Sequence, residues 1–155
     1  MNYSDKTDDQ LYTLWLNCHA VLKDGTKVLR HGRAQEHIAN IEQEWDRRLN
    51  SPDIQGRVPQ KGLMSKLGYH VGSTEGVIEE RRREIIDFVM TQRLPFFFSP
   101  TYMAEWGEEG SEQRFTKLKN FLRSMLGNNY SGNFDQAKDE WQKDLAYLEE
   151  TYGNH

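Results

Sequence analysis

The apolar residues of this chain recur three and four positions apart along most of its length, the period at which side chains line one face of an α-helix. Stripes of this kind occupy about 8–22, 33–49, 75–92, 111–126 and 134–152. No stretch alternates apolar and polar residues for long enough to form a sheet. The spacing therefore predicts an all-α fold.

Capping residues and helix breakers set the predicted helix ends. The predicted N-caps are Thr7 and Asn133, each opening a capping box with Gln10 or Gln136, together with Ser99, Ser111 and either Ser73 or Thr74. Two short helices are expected at 62–67 and 100–106, each followed by a glycine. We predict about five longer helices and two short ones in one compact domain, 1–155, with a helix pair at 5–50 and a second region at 62–152.

The composition fits a small helical domain with a thin, aromatic core. Of 155 residues, 36% are hydrophobic and 12% aromatic, including four Trp, whereas disordered chains lack large apolar side chains. Cys18 is the only cysteine, which excludes an internal disulfide and favours a reducing compartment. The first ten residues have no apolar signal core, and no apolar run is long enough to span a bilayer. We expect a soluble, cytoplasmic protein with no membrane partner.

A glycine-punctuated loop, KLGYHVGSTEG, precedes a helix that opens with three arginines. Phosphate-binding loops need a strand before the glycines and a lysine after them, and this segment offers neither. A helix N-terminus can still hold an anion through its free N–H groups. Two interpretations stay open. The favoured one is a turn followed by a salt-bridged helix face, since acidic residues lie three and four positions from the arginines; the other is an anion or nucleic-acid contact.

Nucleic-acid binding by the helix–loop–helix corner at 62–83 is the alternative function. Duplex binding relies on Lys and Arg side chains that contact phosphates, and the net charge of −4 gives it no general support. If the corner binds nucleic acid, its basic residues should form one continuous positive surface. These residues are Lys61, Lys66, Arg81, Arg82, Arg83 and Arg93.

Catalytic and metal-binding patterns are missing from the sequence. The five histidines form no zinc motif, and Cys18 falls on the apolar stripe of the first helix, where a buried, inert thiol is expected. Glu105, Glu108 and Glu109 surround a tryptophan, but carboxylates at the start of a helix favour its dipole. We therefore expect no enzyme activity, no cofactor and no metal.

The most apolar stretch, LPFFFSPTYMAEWG, carries the candidate binding residues. Phe96, Phe97 and Phe98 cannot all point to one side of an extended segment, so we expect two to be buried and one to lie at the surface. The surface phenylalanine, with Tyr102, would belong to a patch that binds a protein partner. Trp106, four residues after Tyr102, is expected to be buried.

Several motifs together resemble a poorly characterised bacterial helical domain. The shared motifs are L-G-Y-x-V-G, R-R-x-I/L, L-P, Y-x-x-x-W-G and W-x-x-D-L-x-x-L, and they span about 62–152. The matching residues are Gly68, Tyr69, Gly72, Arg81, Arg82, Leu94, Pro95, Tyr102, Trp106, Gly107, Trp141, Asp144 and Leu145. The resemblance implies a helical fold, structural roles for these positions and a buried Arg82–Asp144 pair, and it carries no activity.

The function predicted from the sequence is that of a non-catalytic helical binding or accessory module. A protein partner or self-association is expected, through the aromatic segment. The alternative is a nucleic-acid-binding accessory protein, associated with mobile elements or defence because the resembling domains occur beside such proteins.

Overall fold

The computed structural model describes residues 1–52, 62–128 and 134–153, and within them the chain forms seven α-helices and no strand. The all-α prediction, with five longer helices and two short ones, is confirmed. The helices are α1 (Asp8–Lys23), α2 (His31–Leu49), α3 (Leu63–Lys66), α4 (Glu79–Thr91), α5 (Pro100–Ala104), α6 (Glu112–Gly127) and α7 (Asp135–Tyr152). Two 3-10 turns, Tyr3–Asp5 and Gly25–Arg30, flank α1. No helix in these ranges is both long and apolar enough to cross a membrane.

The predicted N-terminal caps of the long helices α1 and α6 are formed as expected. The Thr7 hydroxyl accepts from the backbone N–H of Gln10 (3.1 Å), and the Gln10 side chain accepts from the Thr7 N–H (2.9 Å), so the capping box is complete. The Ser111 hydroxyl accepts from the N–H of Arg114 (3.1 Å) and starts α6. These ends are set by residues within one helical turn, which is why the sequence predicts them.

The predicted start of α4 is wrong by four residues. Ser73 and Thr74 lie in a turn, and the helix begins at Glu79 after Ile78, whose side chain makes no capping hydrogen bond. The segment between them folds back, because the N–H of Val77 donates to the carbonyl of His70 (3.0 Å). The predicted cap of α7, Asn133, lies outside the described residues; α7 follows Phe134, which gives no side-chain cap.

The contacts divide the chain into two compact units. The first unit is Met1–Val58 with Pro95–Ala104, and the second is Pro59–Leu94 with Glu105–His155. The single domain inferred from the sequence stays a prediction.

The first unit is built on the hairpin of α1 and α2. Leu11, Ile41 and Trp45 are fully buried, and the rings of Trp15 and Trp45 lie 5.5 Å apart. Arg48 ties the N-terminal turn to α2, donating to the Asp8 carboxylate (2.5 Å) and to the carbonyl of Lys6 (2.6 Å). Aromatic packing and this arginine hold the hairpin together.

The second unit is built on α4, α6 and α7. Its fully buried apolar side chains are Leu63, Met64, Ile86, Val89, Met90, Leu118, Leu122 and Leu148. Tyr69, in the loop after α3, packs edge-to-face against Phe121 of α6, with ring centroids 6.0 Å apart. The loop that carries the glycines is therefore part of this core.

Candidate functional site

A buried cluster of charged side chains joins α4, α7 and the glycine loop. Arg82 is 3% exposed and Asp144 is fully buried. Arg82 donates to Asp144 through Nε (2.8 Å) and Nη2 (3.2 Å), and to Glu140 through Nη1 (2.6 Å). The Tyr69 hydroxyl donates to the same Asp144 carboxylate (2.5 Å). The Arg82–Asp144 pair that the motif resemblance implies is present.

The glycine loop holds an anion, and that anion is the protein's own carboxylate. The backbone N–H of Gly72, a residue with a φ of 97°, donates to Glu140 Oε1 (3.1 Å). Arg82 binds the other oxygen of Glu140 and also donates to the carbonyl of Val77 at the loop's end (3.0 Å). Glycine is suited to this position because a positive φ is strained for other residues. The Gly72 N–H and Arg82 thus bind the Glu140 carboxylate as they would bind an external anion, and this contact holds the loop against α7.

The electrostatics of this cluster favour a fixed charge distribution. Burial, together with the adjacent Asp144 carboxylate, raises the pKa of Tyr69 far above its ordinary value, so the phenol stays a donor. For Arg82, burial alone would lower the pKa, but the hydrogen bonds and charge of Asp144 outweigh it and raise the pKa. A buried cluster in which the Tyr69 phenol stays protonated and the Arg82 guanidinium stays charged is suited to stabilising the fold.

The three arginines predicted to contact nucleic acid at the start of α4 all pair with carboxylates of this chain. Arg82 is a correction to that set, because a side chain buried on two carboxylates cannot contact a phosphate. Arg81 pairs with Glu84 (3.1 Å), and Arg83 pairs with Glu79 (3.0 Å), as the salt-bridged interpretation predicted.

The other members of the basic set are Lys61, Lys66 and Arg93. Lys66 and Arg93 are half-buried, and Lys61 lies outside the described residues. Arg83 also lies over the ring of Tyr147 in α7, 4.7 Å from its centroid.

Arg114 is a buried arginine that sequence reasoning missed. Its guanidinium donates to the carbonyls of Val89 (2.9 Å), Gln92 (2.7 Å) and Gly107 (2.8 Å). The first two carbonyls belong to the C-terminal end of α4, where helices leave acceptors without intrahelical partners. Burial lowers the pKa of Arg114, with Glu109 opposing that shift. Arg114 therefore caps α4 from α6.

A second missed cluster gathers two tyrosines on Asp87. Tyr147 donates to both carboxylate oxygens of Asp87 (2.8 and 2.9 Å), and Tyr152 donates to one of them (2.6 Å). Burial and the Asp87 carboxylate raise the pKa of both phenols. The three residues fasten the C-terminal end of α7 to α4. Their sequence separations of 60 and 65 positions gave no local signal.

In the aromatic segment, the side chains divide between core and surface. Phe96 and Phe97 are buried, and Phe97 packs edge-to-face on Tyr12 at 5.2 Å. These two residues therefore leave the predicted binding patch. Phe98 and Tyr102 are half-buried and contact each other edge-to-face, with centroids 5.0 Å apart. Two of the three phenylalanines are therefore buried, as expected, and Phe98 is the one that stays partly exposed.

Phe98 has an unusual backbone conformation. Its φ is 72°, the only positive value at a non-glycine position in the described residues. The N–H of Ser99 donates to the carbonyl of Phe97 (3.0 Å), closing a three-residue γ-turn with Phe98 at its centre. Ser99 then caps α5, its hydroxyl accepting from the Tyr102 N–H (3.2 Å) as predicted. Strain of this kind costs roughly 1–3 kcal/mol and persists only where the surroundings enforce it.

Trp106 and Cys18, two further residues singled out in the sequence, are both buried. Trp106 is buried as predicted, and the Lys117 ammonium lies 5.8 Å from its ring centroid. Cys18 is buried, and burial raises the pKa of its thiol. Among the described residues, no group of three or more His, Cys, Asp or Glu side chains is arranged to hold a metal ion.

Comparisons with known proteins give no match: no protein-family model, no curated protein and no solved structure is detectably similar to this chain.

Proposed function

We propose that this protein is a non-catalytic helical binding module, bacterial and cytoplasmic, that recognises another protein chain through Phe98 and Tyr102. The observation that supports it is the γ-turn at Phe98. A large aromatic side chain at a positive φ is disfavoured, and glycine would satisfy the turn without strain. A phenylalanine at this position is explained if its ring contacts the partner.

The surroundings of Phe98 suit a contact surface. Buried Phe97 on one side and the capped start of α5 on the other fix the turn, so the half-exposed Phe98–Tyr102 pair is held in one geometry. Rigid aromatic side chains are common energetic centres of protein interfaces, because they contribute large apolar area with little entropy to lose.

The substitution Phe98→Gly separates this role from a structural one. Glycine relieves the strained φ while removing the ring, so the free energy of unfolding should stay within about 1 kcal/mol of wild type or rise. Partner binding should be lost. Phe97→Ala is the matched control: it removes a buried ring and should cost about 3–5 kcal/mol.

Binding can be measured with a photo-crosslinking amino acid placed at position 98 in the producing cell. Adducts should form there and not at Phe134, an exposed aromatic position in the second unit. Light scattering of the purified protein tests self-association, which Phe98→Gly should abolish if the partner is a second copy. Equal crosslinking at both positions, or unchanged association of the glycine variant, would exclude the aromatic turn as the contact.

Nucleic-acid binding at 62–83 is the alternative, and the pairing of Arg81 and Arg83 with glutamates gives it less support. A salt titration of DNA and RNA binding tests it. Non-specific electrostatic binding is strongest at low ionic strength, so failure to bind in low salt would remove this alternative.

A further inference from the structure

The turn between α1 and α2 exposes two aliphatic side chains next to each other. Leu29 is fully exposed and Val28 is 61% exposed. They lie in the 3-10 turn Gly25–Arg30, in which every residue is exposed. Single exposed apolar residues are ordinary on protein surfaces. Two adjacent ones at the end of a helical hairpin form a small apolar knob that water solvates poorly.

Local hydrogen bonds give this knob a defined shape. The Asp24 carboxylate accepts from the backbone N–H of Thr26 (2.9 Å) and from its hydroxyl (2.6 Å). The ring of His31, at the other end of the turn, lies within hydrogen-bond distance of the Asp24 carbonyl (3.1 Å). Val28 and Leu29 are therefore presented by a closed turn.

Basic residues lie close to the knob in the sequence. Between residues 7 and 46, all four basic residues lie at the end of the hairpin that carries the turn, at Lys23, Lys27, Arg30 and Arg33. Asp24 is the one acidic residue among them, and it pairs with Lys27 at 3.8 Å. The rest of this stretch carries six acidic residues and no basic one. The hairpin is thus positive at its tip, which we define as residues 23–33. The rest of α1 and α2 is net negative, with six acidic residues against Arg47 and Arg48 at the far end.

We infer that the hairpin tip docks on an anionic lipid surface. Leu29 and Val28 enter the boundary between headgroups and acyl chains, and the four basic side chains contact the anionic headgroups around them. The net negative rest of α1 and α2 is repelled by the same surface, which orients the tip toward it. An apolar knob with basic residues close to it in the sequence matches a flat, anionic, deformable surface.

The other anionic partners fit this arrangement less well. Nucleic-acid phosphates would satisfy the basic residues but would leave the two aliphatic side chains against a charged backbone. The sequence led us to expect no membrane partner because no apolar span is present. A peripheral contact does not need such a span, and the inference is independent of the aromatic turn.

Vesicle sedimentation with the full chain tests the inference. Vesicles of phosphatidylglycerol and phosphatidylcholine should bind the protein, and phosphatidylcholine alone should not. Each basic residue near an anionic surface is worth about fivefold in affinity, so Lys27→Gln with Arg30→Gln should weaken binding about 25-fold. Val28→Ser with Leu29→Ser should weaken it about tenfold or more.

Ile78→Ser is the matched control, because Ile78 is a β-branched side chain, 70% exposed, that precedes α4 in the second unit. This variant should bind within twofold of wild type. Insertion is read separately from a polarity-sensitive dye on Leu29→Cys, since buried Cys18 is poorly accessible to labelling. The dye emission should shift to the blue with anionic vesicles.

Three results would overturn the inference: equal binding to both vesicle types, equal binding of the tip variants and wild type, or binding to polyglutamate or duplex DNA without binding to vesicles. Far-UV circular dichroism of each variant shows that the helices are intact. The tip variants change only exposed side chains, so they are expected to fold.

Discussion

Removing the Arg82 guanidinium should be one of the most destabilising single changes in the second unit. Arg82→Met retains a long, unbranched side chain but removes two hydrogen bonds to Asp144, one to Glu140 and one to the Val77 carbonyl. Asp144 then stays fully buried with a single donor, Tyr69. Breaking a buried ion pair by removing one partner costs about 3–5 kcal/mol.

The upper end of that range applies to Arg82→Met, since two carboxylates lose their counter-charge at once. A loss of about 5 kcal/mol equals the whole stability of many small domains, for which about 5–15 kcal/mol is typical. Asp144→Leu should cost less, about 3 kcal/mol, because Arg82 keeps Glu140 and the Val77 carbonyl as partners.

The double variant gives the sharper test. With Arg82→Met and Asp144→Leu together, the buried pair becomes two apolar side chains, and such replacements are often neutral or stabilising. Glu140 lies at the edge of the cluster with its side chain 12% exposed, so its carboxylate can turn toward water. We expect the double variant to be more stable than Arg82→Met alone, with a coupling of at least about 2 kcal/mol.

Urea unfolding followed by circular dichroism and tryptophan fluorescence measures these free energies, and coincidence of the two signals tests two-state behaviour. Arg81→Met is the control, since Arg81 forms an exposed pair with Glu84 and should change stability by less than about 1 kcal/mol. Additive losses in the double variant, or equal losses for Arg81→Met and Arg82→Met, would refute the reasoning.

Three further outcomes are expected from the second unit. Trp106→Ala should lower the free energy of unfolding in urea by about 3–5 kcal/mol. Trp106→Phe should lower it clearly less, because the buried indole N–H has no hydrogen-bond partner to lose among the described residues. Equal losses for the two variants would contradict the conclusion that the Trp106 ring acts through core packing. Gly76→Ala should destabilise the protein more than Gly68→Ala. A Cβ at Gly76 would lie 2.1 Å from the carbonyl oxygen of Gly72, whereas a Cβ at Gly68 would lie in open space and would be strained only by the φ of 94°. The melting temperatures of the two variants give the order. Stability should fall above about pH 10, because the raised pKa values of Tyr69, Tyr147 and Tyr152 mean that the unfolded state releases the phenolic protons first. Tyr69→Phe should remove the Tyr69 part of that fall, so the melting temperature should drop less between about pH 9 and pH 11 than in wild type.

Helix positions were predictable where one turn of sequence decides them. Thr7 and Ser111 were found because their caps are closed by residues three positions away. The start of α4 was not, because the chain from Ser73 to Ile78 closes a loop whose hydrogen bonds run to His70 and Arg82. Ser73 and Thr74 precede a helical apolar stripe, and that pattern favours a cap. The hydrogen bonds of the loop to His70 and Arg82 place the helix start at Glu79 instead.

The candidate sites were predictable to a smaller extent. The pairing of Arg82 with Asp144, 62 positions apart, came from the motif resemblance, and nothing in the sequence added Glu140 to it. Arg114 occupies an ordinary position in an amphipathic helix, and only the fold brings the end of α4 to its guanidinium. A positive φ at Phe98 has no sequence signal at all, since the residue that favours that conformation is glycine.

Whether the glycine loop can bind a phosphate depends on whether its anion-binding groups are already occupied. An anion site needs free N–H groups and a positive charge that no other group already neutralises. Here the Gly72 N–H and Arg82 both bind Glu140, so an external anion would have to displace a carboxylate tethered on α7. The effective concentration of such a tethered group exceeds that of a free ligand, and Glu140→Gln is therefore the variant in which an added phosphate would first be able to compete. If that variant gains no thermal stabilisation from phosphate, the loop has a purely structural role.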